Sequence, residues 1–175
     1  RYLPVRILNN CILLPIVANN QDTALQIFST LNNRGKPLSD ADIFKSQFYK
    51  YYTSIGQKDD FVKKWKELEF LSSEAFKGVK GNSTDELFTR YMYYRRNTDT
   101  TRTGLRKFYE RDNYVILKEQ QTLIDLKALA EFWRDVRKQD EERFSNRILR
   151  RLFVLNCAPN GIWTYLVSVY FLCRQ

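Results

Sequence analysis

The sequence predicts a mainly α-helical fold: one bundle-like domain of seven or eight helices, with at most one short strand near the N-terminus. Apolar residues recur at helical spacing along most of the 175 residues. Residues that favour helix starts precede these segments, and glycine or proline often follows them. The content of 43% hydrophobic and 15% aromatic residues is sufficient for a folded core and excludes a disordered chain.

The first part of the chain, residues 1–55, begins with a helix end over residues 1–10 and an apolar run over residues 11–18. The run has the length of a strand. Pro15 within it lacks an amide donor, so we expect an edge strand or an extended segment there. Residues 22–45 then predict a helix, a tight turn and a second helix.

The first helix of this pair places four apolar residues on one face: Ala24, Ile27, Phe28 and Leu31. Asn20 or Asp22 can accept the free amide protons at its start. Gly35 and Pro37 end it, because glycine adopts the left-handed conformation common after a helix and proline prevents the helix from resuming.

The second helix begins at Ser39, whose hydroxyl can accept from the backbone of Asp42 in a capping box. Its predicted inward face contains Phe44, Phe48 and Tyr51. The turn between the two helices is polar and basic.

Residues 56–175 are predicted to be a helical region. Helical spacing of apolar residues indicates helices over residues 58–71 and 122–138. Ser83 and Glu86 have capping-box spacing at the start of another helix. Residues 95–104 contain no apolar side chain and predict an exposed loop.

The predicted helix over residues 122–138 places an apolar face inward and leaves charged residues, including Asp125 and Asp135, outside. In the next helix, over residues 143–155, the predicted inward residues are Phe144, Ile148, Leu152 and Leu155. Residues 162–172 are apolar nearly all round, which predicts a central core helix.

The helical pair near the N-terminus resembles a signature of the GmrSD-type restriction endonuclease family. In the string IFSTLNNRGKPLSDADIFK, the matching residues are Phe28, Leu31, Asn32, Arg34, Gly35, Pro37, Leu38, Ser39, Asp42 and Lys45. In that family the signature follows a ParB-like domain and leads into a helical region. The resemblance therefore implies that residues 1–55 form a junction with a missing upstream ParB-like domain. We also expect residues 1–175 to be an excised fragment, because Arg1 is not an initiator methionine and the last residues stop inside an apolar helical pattern.

The resemblance also implies a parent protein that is a nucleotide-dependent DNA endonuclease or its subunit. Such a protein uses a DGQQR motif in its ParB-like part and a separate HNH-type nuclease domain, with a nucleoside triphosphate and a divalent metal as cofactors. This sequence contains no DGQQR string and no histidine, which an HNH nuclease needs. We therefore expect no cofactor in this fragment and no catalysis by it alone, with the missing domains in the same protein or a partner subunit.

The polar turn of the signature is the first candidate site. The resemblance implies that Asn32, Arg34, Gly35 and Lys45 contact a nucleotide or its pocket, and amide and guanidinium groups suit such a contact. The alternative is an ordinary turn, in which the asparagines bond to local backbone and Arg34 is solvated or pairs with Asp42.

The positive charge indicates a second candidate site, for DNA. Lys and Arg number 29 against 20 Asp and Glu, a net charge of +9 that attracts polyanions. Five arginines in two basic patches are the predicted phosphate contacts: Arg95, Arg96, Arg143, Arg147 and Arg151. The alternative is that both patches are solvated helix faces.

Other classes of site receive little support. Cys11, Cys157 and Cys173 are widely spaced in apolar runs and predict reduced, buried thiols. No zinc spacing, Walker loop or nucleophile elbow occurs, and no apolar run is long enough to span a membrane. We expect a cytoplasmic location. Two alternatives to the restriction hypothesis stay open: nuclease or nucleotidase activity within the fragment, and a protein-interaction scaffold without nucleic-acid contact.

Overall fold

The computed structural model describes residues 38–96, 104–158 and 160–174, together with residues 9, 17, 18, 20, 23, 24 and 27. Within these residues the chain forms eight α-helices and no strand, so the prediction of a mainly α fold is confirmed. The chain divides into two compact units, Arg1–Leu38 and Ser39–Gln175.

In the first unit, the predicted helix start at Asn20 is confirmed. The side-chain oxygen of Asn20 accepts a hydrogen bond from the amide of Thr23 at 2.8 Å, and its carbonyl accepts from Ala24 at 3.1 Å. Thr23 and Ala24 are helical. Residues 17 and 18 belong to no strand, and the remainder of the predicted strand lies outside the described residues.

The second unit contains all eight of these helices. In chain order they are α1 (Asp40–Ser54), α2 (Lys58–Ala75), α3 (Ser83–Arg96), α4 (Leu105–Glu110), α5 (Val115–Lys118), α6 (Gln120–Lys138), α7 (Asn146–Asn156) and α8 (Ile162–Leu172), with a 3₁₀ turn at Arg111–Asn113. Helices α2 and α6 pack side by side at the centre, and α3 contacts both of them. Helix α1 packs on α2 and α5, while α8 packs on α3 and α6.

The start of α1 is fastened to the start of α3. The predicted capping box is confirmed, since the Ser39 hydroxyl accepts from the amide of Asp42 at 3.2 Å and the Asp42 carboxylate accepts from the amide of Ser39 at 3.1 Å. Asn82 donates to the Ser39 hydroxyl at 3.1 Å. The Asp85 carboxylate accepts from the amide of Ala41 at 2.6 Å. Asn82 and Asp85, at the start of α3, therefore satisfy polar groups at the N-terminal end of α1.

The capping box predicted at Ser83 and Glu86 is wrong. Ser83 is already the first residue of α3, and the side chain of Asn82 accepts from the amide of Thr84 at 2.8 Å instead. The Glu86 carboxylate points along the helix to Arg90. The cap therefore lies one residue earlier than the spacing predicts.

Aromatic rings fill the core between α1, α2 and α3. The ring of Phe48 lies 5.8 to 6.4 Å, centroid to centroid, from the rings of Tyr52, Phe61, Trp65 and Phe88. All of these residues are buried. Tyr52 takes the inward position that the spacing assigns to Tyr51, which is only half-buried.

Helix α7 is less buried than its amphipathic pattern predicts. It buries none of its residues. Phe144 and Leu152 are partly buried against the core, but Ile148 and Leu155 are 47% and 38% exposed, so their predicted inward position is wrong. The pattern identifies the apolar side of a helix, whereas the neighbouring elements determine how much of that side is covered.

Helix α8 has the predicted bounds but not the predicted central position. Only Ser168 and Leu172 are buried on it, and they lie on the side that packs against α3 and α6. Its outer side exposes Ile162, Leu166 and Tyr170 by 60% to 68%. The prediction of a central core helix is therefore wrong, because an uncharged helix does not require neighbours on every side.

Arg90 of α3 is a buried cation that joins three helices. It is 6% exposed and its guanidinium binds the Glu86 carboxylate at 2.9 and 3.0 Å. The guanidinium carbon lies 4.7, 4.5 and 5.2 Å from the ring centroids of Phe76, Trp133 and Tyr165. Cation–π contacts of this kind strengthen when water is excluded. Arg90 therefore links α3 to α6 and α8.

We expect Arg90→Ala to lower the free energy of unfolding by about 3–5 kcal/mol, because the largely buried Glu86 carboxylate loses its cation. The double variant Arg90→Met/Glu86→Met removes both charges and should cost much less. Urea unfolding followed by circular dichroism measures both. A double variant as unstable as Arg90→Ala would contradict the assignment of the loss to the unpaired charge.

Asp85 makes stability depend on pH. Burial raises the pKa of the Asp85 carboxyl, and the charges of Asp40 and Asp42 raise it further, while the bond from the amide of Ala41 lowers it in part. A folded-state pKa above the unfolded value means that stability is greatest below the unfolded pKa and declines as pH rises through the folded pKa.

We expect Asp85→Asn to be more stable than the wild type at neutral pH, because the amide keeps an acceptor oxygen and carries no charge. This advantage should disappear below pH ~3, where the wild-type carboxyl is protonated in both states. Asp85→Ala, which leaves the amide of Ala41 unpaired, should instead cost about 1–2 kcal/mol. Urea unfolding between these pH values distinguishes the variants, and equal losses in Asp85→Asn and Asp85→Ala at neutral pH would refute the account.

Candidate functional site

Of the four residues predicted to contact a nucleotide, one is described. Asn32, Arg34 and Gly35 lie outside the described residues, so their role stays a prediction. Lys45 lies on α1, where its Nζ is 2.8 Å from a carboxylate oxygen of Glu69. The indole N–H of Trp65 donates to the same oxygen at 2.6 Å. Lys45 therefore joins α1 to α2, and its side chain is 44% exposed.

Arg95 lies in the last turn of α3 rather than in an exposed loop. Its guanidinium makes a two-point contact with the Glu119 carboxylate, at 2.6 and 3.0 Å. Arg96 is also helical, and its guanidinium carbon lies 5.9 Å from the ring centroid of Tyr93. The prediction of a loop is wrong at these two positions, and residues 97–103 lie outside the described part of the chain. Arg95 holds the end of α3 to the residue before α6.

A buried polar cluster lies beside Arg95. The hydroxyl of Tyr91 is 3.2 Å from the Asp125 carboxylate and 3.4 Å from the Thr122 hydroxyl, and Gln121 donates to Asp125 at 2.7 Å. Burial raises the pKa of Tyr91 to about 12, so its hydroxyl stays protonated at neutral pH. Asp125 is 7% exposed, so its predicted outward position is wrong. The buried tyrosine supplies a hydrogen-bond partner for this acid that helical spacing does not reveal.

Asp135 is the second acid whose predicted outward position is wrong. It is 4% exposed, and its two carboxylate oxygens contact Arg143 and Arg134. Arg143 lies before α7, in a turn where the Asp140 carboxylate accepts from its amide at 3.2 Å. The predicted basic stripe is therefore interrupted, because Arg143 is outside the helix and binds a buried acid.

Three arginines of α7 form the most accessible basic surface among the described residues. Arg147, Arg150 and Arg151 are exposed, and the spacing of three and four residues places them on one helix face. No ion pair joins any of them to another described residue. We call these three side chains the arginine face.

The predictions for the cysteines are confirmed in part. Cys157 and Cys173 are free thiols, as predicted, but both are exposed, so the prediction of buried thiols is wrong for them. Cys11 lies outside the described residues. Among the residues that are described, no three His, Cys, Asp or Glu side chains are grouped as a metal site requires. No described helix is both long and apolar enough to cross a membrane.

Comparison with known proteins adds no identification. No family model, curated protein or solved structure matches this chain.

Proposed function

We propose that this chain is the helical part of a phage-defence restriction protein of the GmrSD type and that it contacts DNA through the arginine face. The observation that carries the DNA contact is that Arg147, Arg150 and Arg151 are exposed together on one helix face without an ion pair to another described residue. In this proposal the chain supports a ParB-like nucleotide-dependent domain, is not catalytic alone and acts in the cytoplasm.

The net charge of +9 supports this proposal, because it attracts the chain to DNA over a distance set by the salt concentration. Close contacts then depend on guanidinium groups that are free to reach phosphates. Arg95 and Arg143 already bind Glu119 and Asp135. In our proposal these paired guanidinium groups therefore do not reach phosphates, and the arginine face makes the direct contacts.

The family part of the proposal is supported by the signature in residues 28–45. Ser39 and Asp42 form the cap of α1, and Lys45 binds Glu69, so these three signature residues have structural roles. Asn32, Arg34 and Gly35 are then the residues proposed to reach the nucleotide pocket. In this proposal the nucleoside triphosphate and the divalent metal would bind to ParB-like and HNH-type domains of the same protein or of a partner subunit.

A second candidate function, a protein-interaction scaffold without nucleic-acid contact, is favoured by a different observation. The outer side of α8 exposes Ile162, Leu166 and Tyr170, an uncharged apolar row at a spacing of four residues. Exposed apolar groups of this kind are typical of protein contacts, not of phosphate contacts.

Binding to a fluorescent DNA duplex at several salt concentrations tests the proposal. For the wild type we expect log affinity to fall steeply with log salt, and for Arg147→Glu/Arg151→Glu we expect at least tenfold weaker binding and a slope smaller by about two. The matched control, Lys63→Glu/Lys66→Glu, makes the same change in net charge at exposed residues of α2. It should lose much less affinity.

Two results would overturn the DNA proposal. Equal losses in the two charge-reversal variants would show that net charge alone governs binding and that the arginine face makes no specific contact. Absence of binding by the wild type at low salt would favour the scaffold function.

A further inference from the structure

A cavity of about 310 Å³ lies between the C-terminal end of α1 and the helices α2 and α6. Its apolar lining includes Leu68 and Leu123, both buried, and Ile124, which is 59% exposed. This volume is at the lower end of the range for sites that bind small organic molecules. The cavity therefore has the size of a site for a ligand of modest length.

The polar lining of the cavity contains more donors than acceptors. Lys64 and Lys127 contribute ammonium groups, and Gln57 and Gln120 contribute amides that can donate. The Glu67 carboxylate also lines the cavity, but it already accepts from Lys127 at 2.8 Å. Each lysine is paired with an acid, Lys64 with Asp60 and Lys127 with Glu67, so the lining offers an anionic occupant two ammonium groups that exchange one partner for another.

Tyr52 provides a second, independent observation. It lines the cavity, and its hydroxyl makes no hydrogen bond within the described part of the chain. The residue is 4% exposed overall, but its hydroxyl oxygen is accessible to solvent. Burial raises the pKa of Tyr52, which keeps the hydroxyl protonated and able to donate. An accessible hydroxyl without a partner in the protein can donate to an acceptor in the cavity.

The lysines can respond to such an occupant. The Lys64 ammonium pairs with Asp60 at 2.7 Å, but both side chains are about half exposed. The Lys127 and Glu67 side chains are 42% and 47% exposed. Exposed ion pairs of this kind contribute little stability, so either ammonium can turn toward an anion at small cost.

We propose that this cavity binds a small organic monoanion, a carboxylate with an apolar tail. The carboxylate accepts hydrogen bonds from Tyr52 and from the ammonium of Lys64 or Lys127, and the tail packs on Leu68 and Leu123. This inference is independent of the proposed DNA contact, because the cavity shares no residue with the arginine face.

Titration calorimetry with octanoate tests the proposal, with octanamide as the neutral ligand of the same length. We expect saturable binding of octanoate with a Kd of about 1 mM or lower, and binding of octanamide that is at least ten times weaker. No saturable binding of octanoate up to about 10 mM, or equal binding of the two ligands, would overturn the proposal.

Two variants and a control test whether octanoate binds in this cavity. Tyr52→Phe removes only the hydroxyl and should weaken octanoate binding about tenfold. Ile124→Trp changes an exposed residue at the rim, so it should fill the opening without disturbing the core and should abolish binding. Lys63→Gln, at an exposed residue of α2 outside the lining, should bind as the wild type does. Unchanged affinity in either of the first two variants would overturn the assignment.

Discussion

The helical unit depends on the packing of Phe48 against rings from α2 and α3. This contact lies where three helices meet, and burial of an aromatic side chain contributes about 2–3 kcal/mol before any specific ring geometry is counted. Trp65 extends the same packing to the surface, because its ring is in the core while its indole N–H reaches the Glu69 carboxylate. One aromatic cluster therefore holds α1, α2 and α3 together.

Buried acids determine which of the many positive charges are available to a partner. Asp135 must be paired, because a carboxylate removed from water without a cation or donors is strongly unfavourable, and Arg143 supplies one of its two cations. Glu119, whose side chain is 38% exposed, pairs with Arg95 at the end of α3. The arginine face lies on a helix that carries no acid, so its charges have no local partner. The tertiary structure thereby separates structural arginines from accessible ones.

The long helices could be predicted from the sequence because their cause is local. Apolar residues at helical spacing indicate α2 and α6, and Ser39 with Asp42 specifies the start of α1 within four residues. Burial is predicted less well, because it depends on elements that are far away in the sequence. The exposure of Ile148 depends on what lies beside α7, and no spacing within the helix contains that information.

The candidate sites show the same limit. The stripe through Arg143 and Arg147 assumes a helix that begins at residue 143, but α7 begins only at Asn146. The helical pattern predicts Asp125 outside, yet the hydroxyl of Tyr91, 34 positions earlier, gives it a partner inside. Contacts between residues so far apart follow from the packing of α3 on α6, which the sequence pattern does not specify.

Cys157 follows the last residue of α7, and its thiol is exposed. It lies directly after the helix that carries the arginine face, about 1.7 turns beyond Arg151. In a background with Cys11 and Cys173 replaced by serine, a fluorophore or spin label attached there would sense the local environment of α7 without altering a charged side chain. The helix thus provides its own attachment point for a spectroscopic reporter.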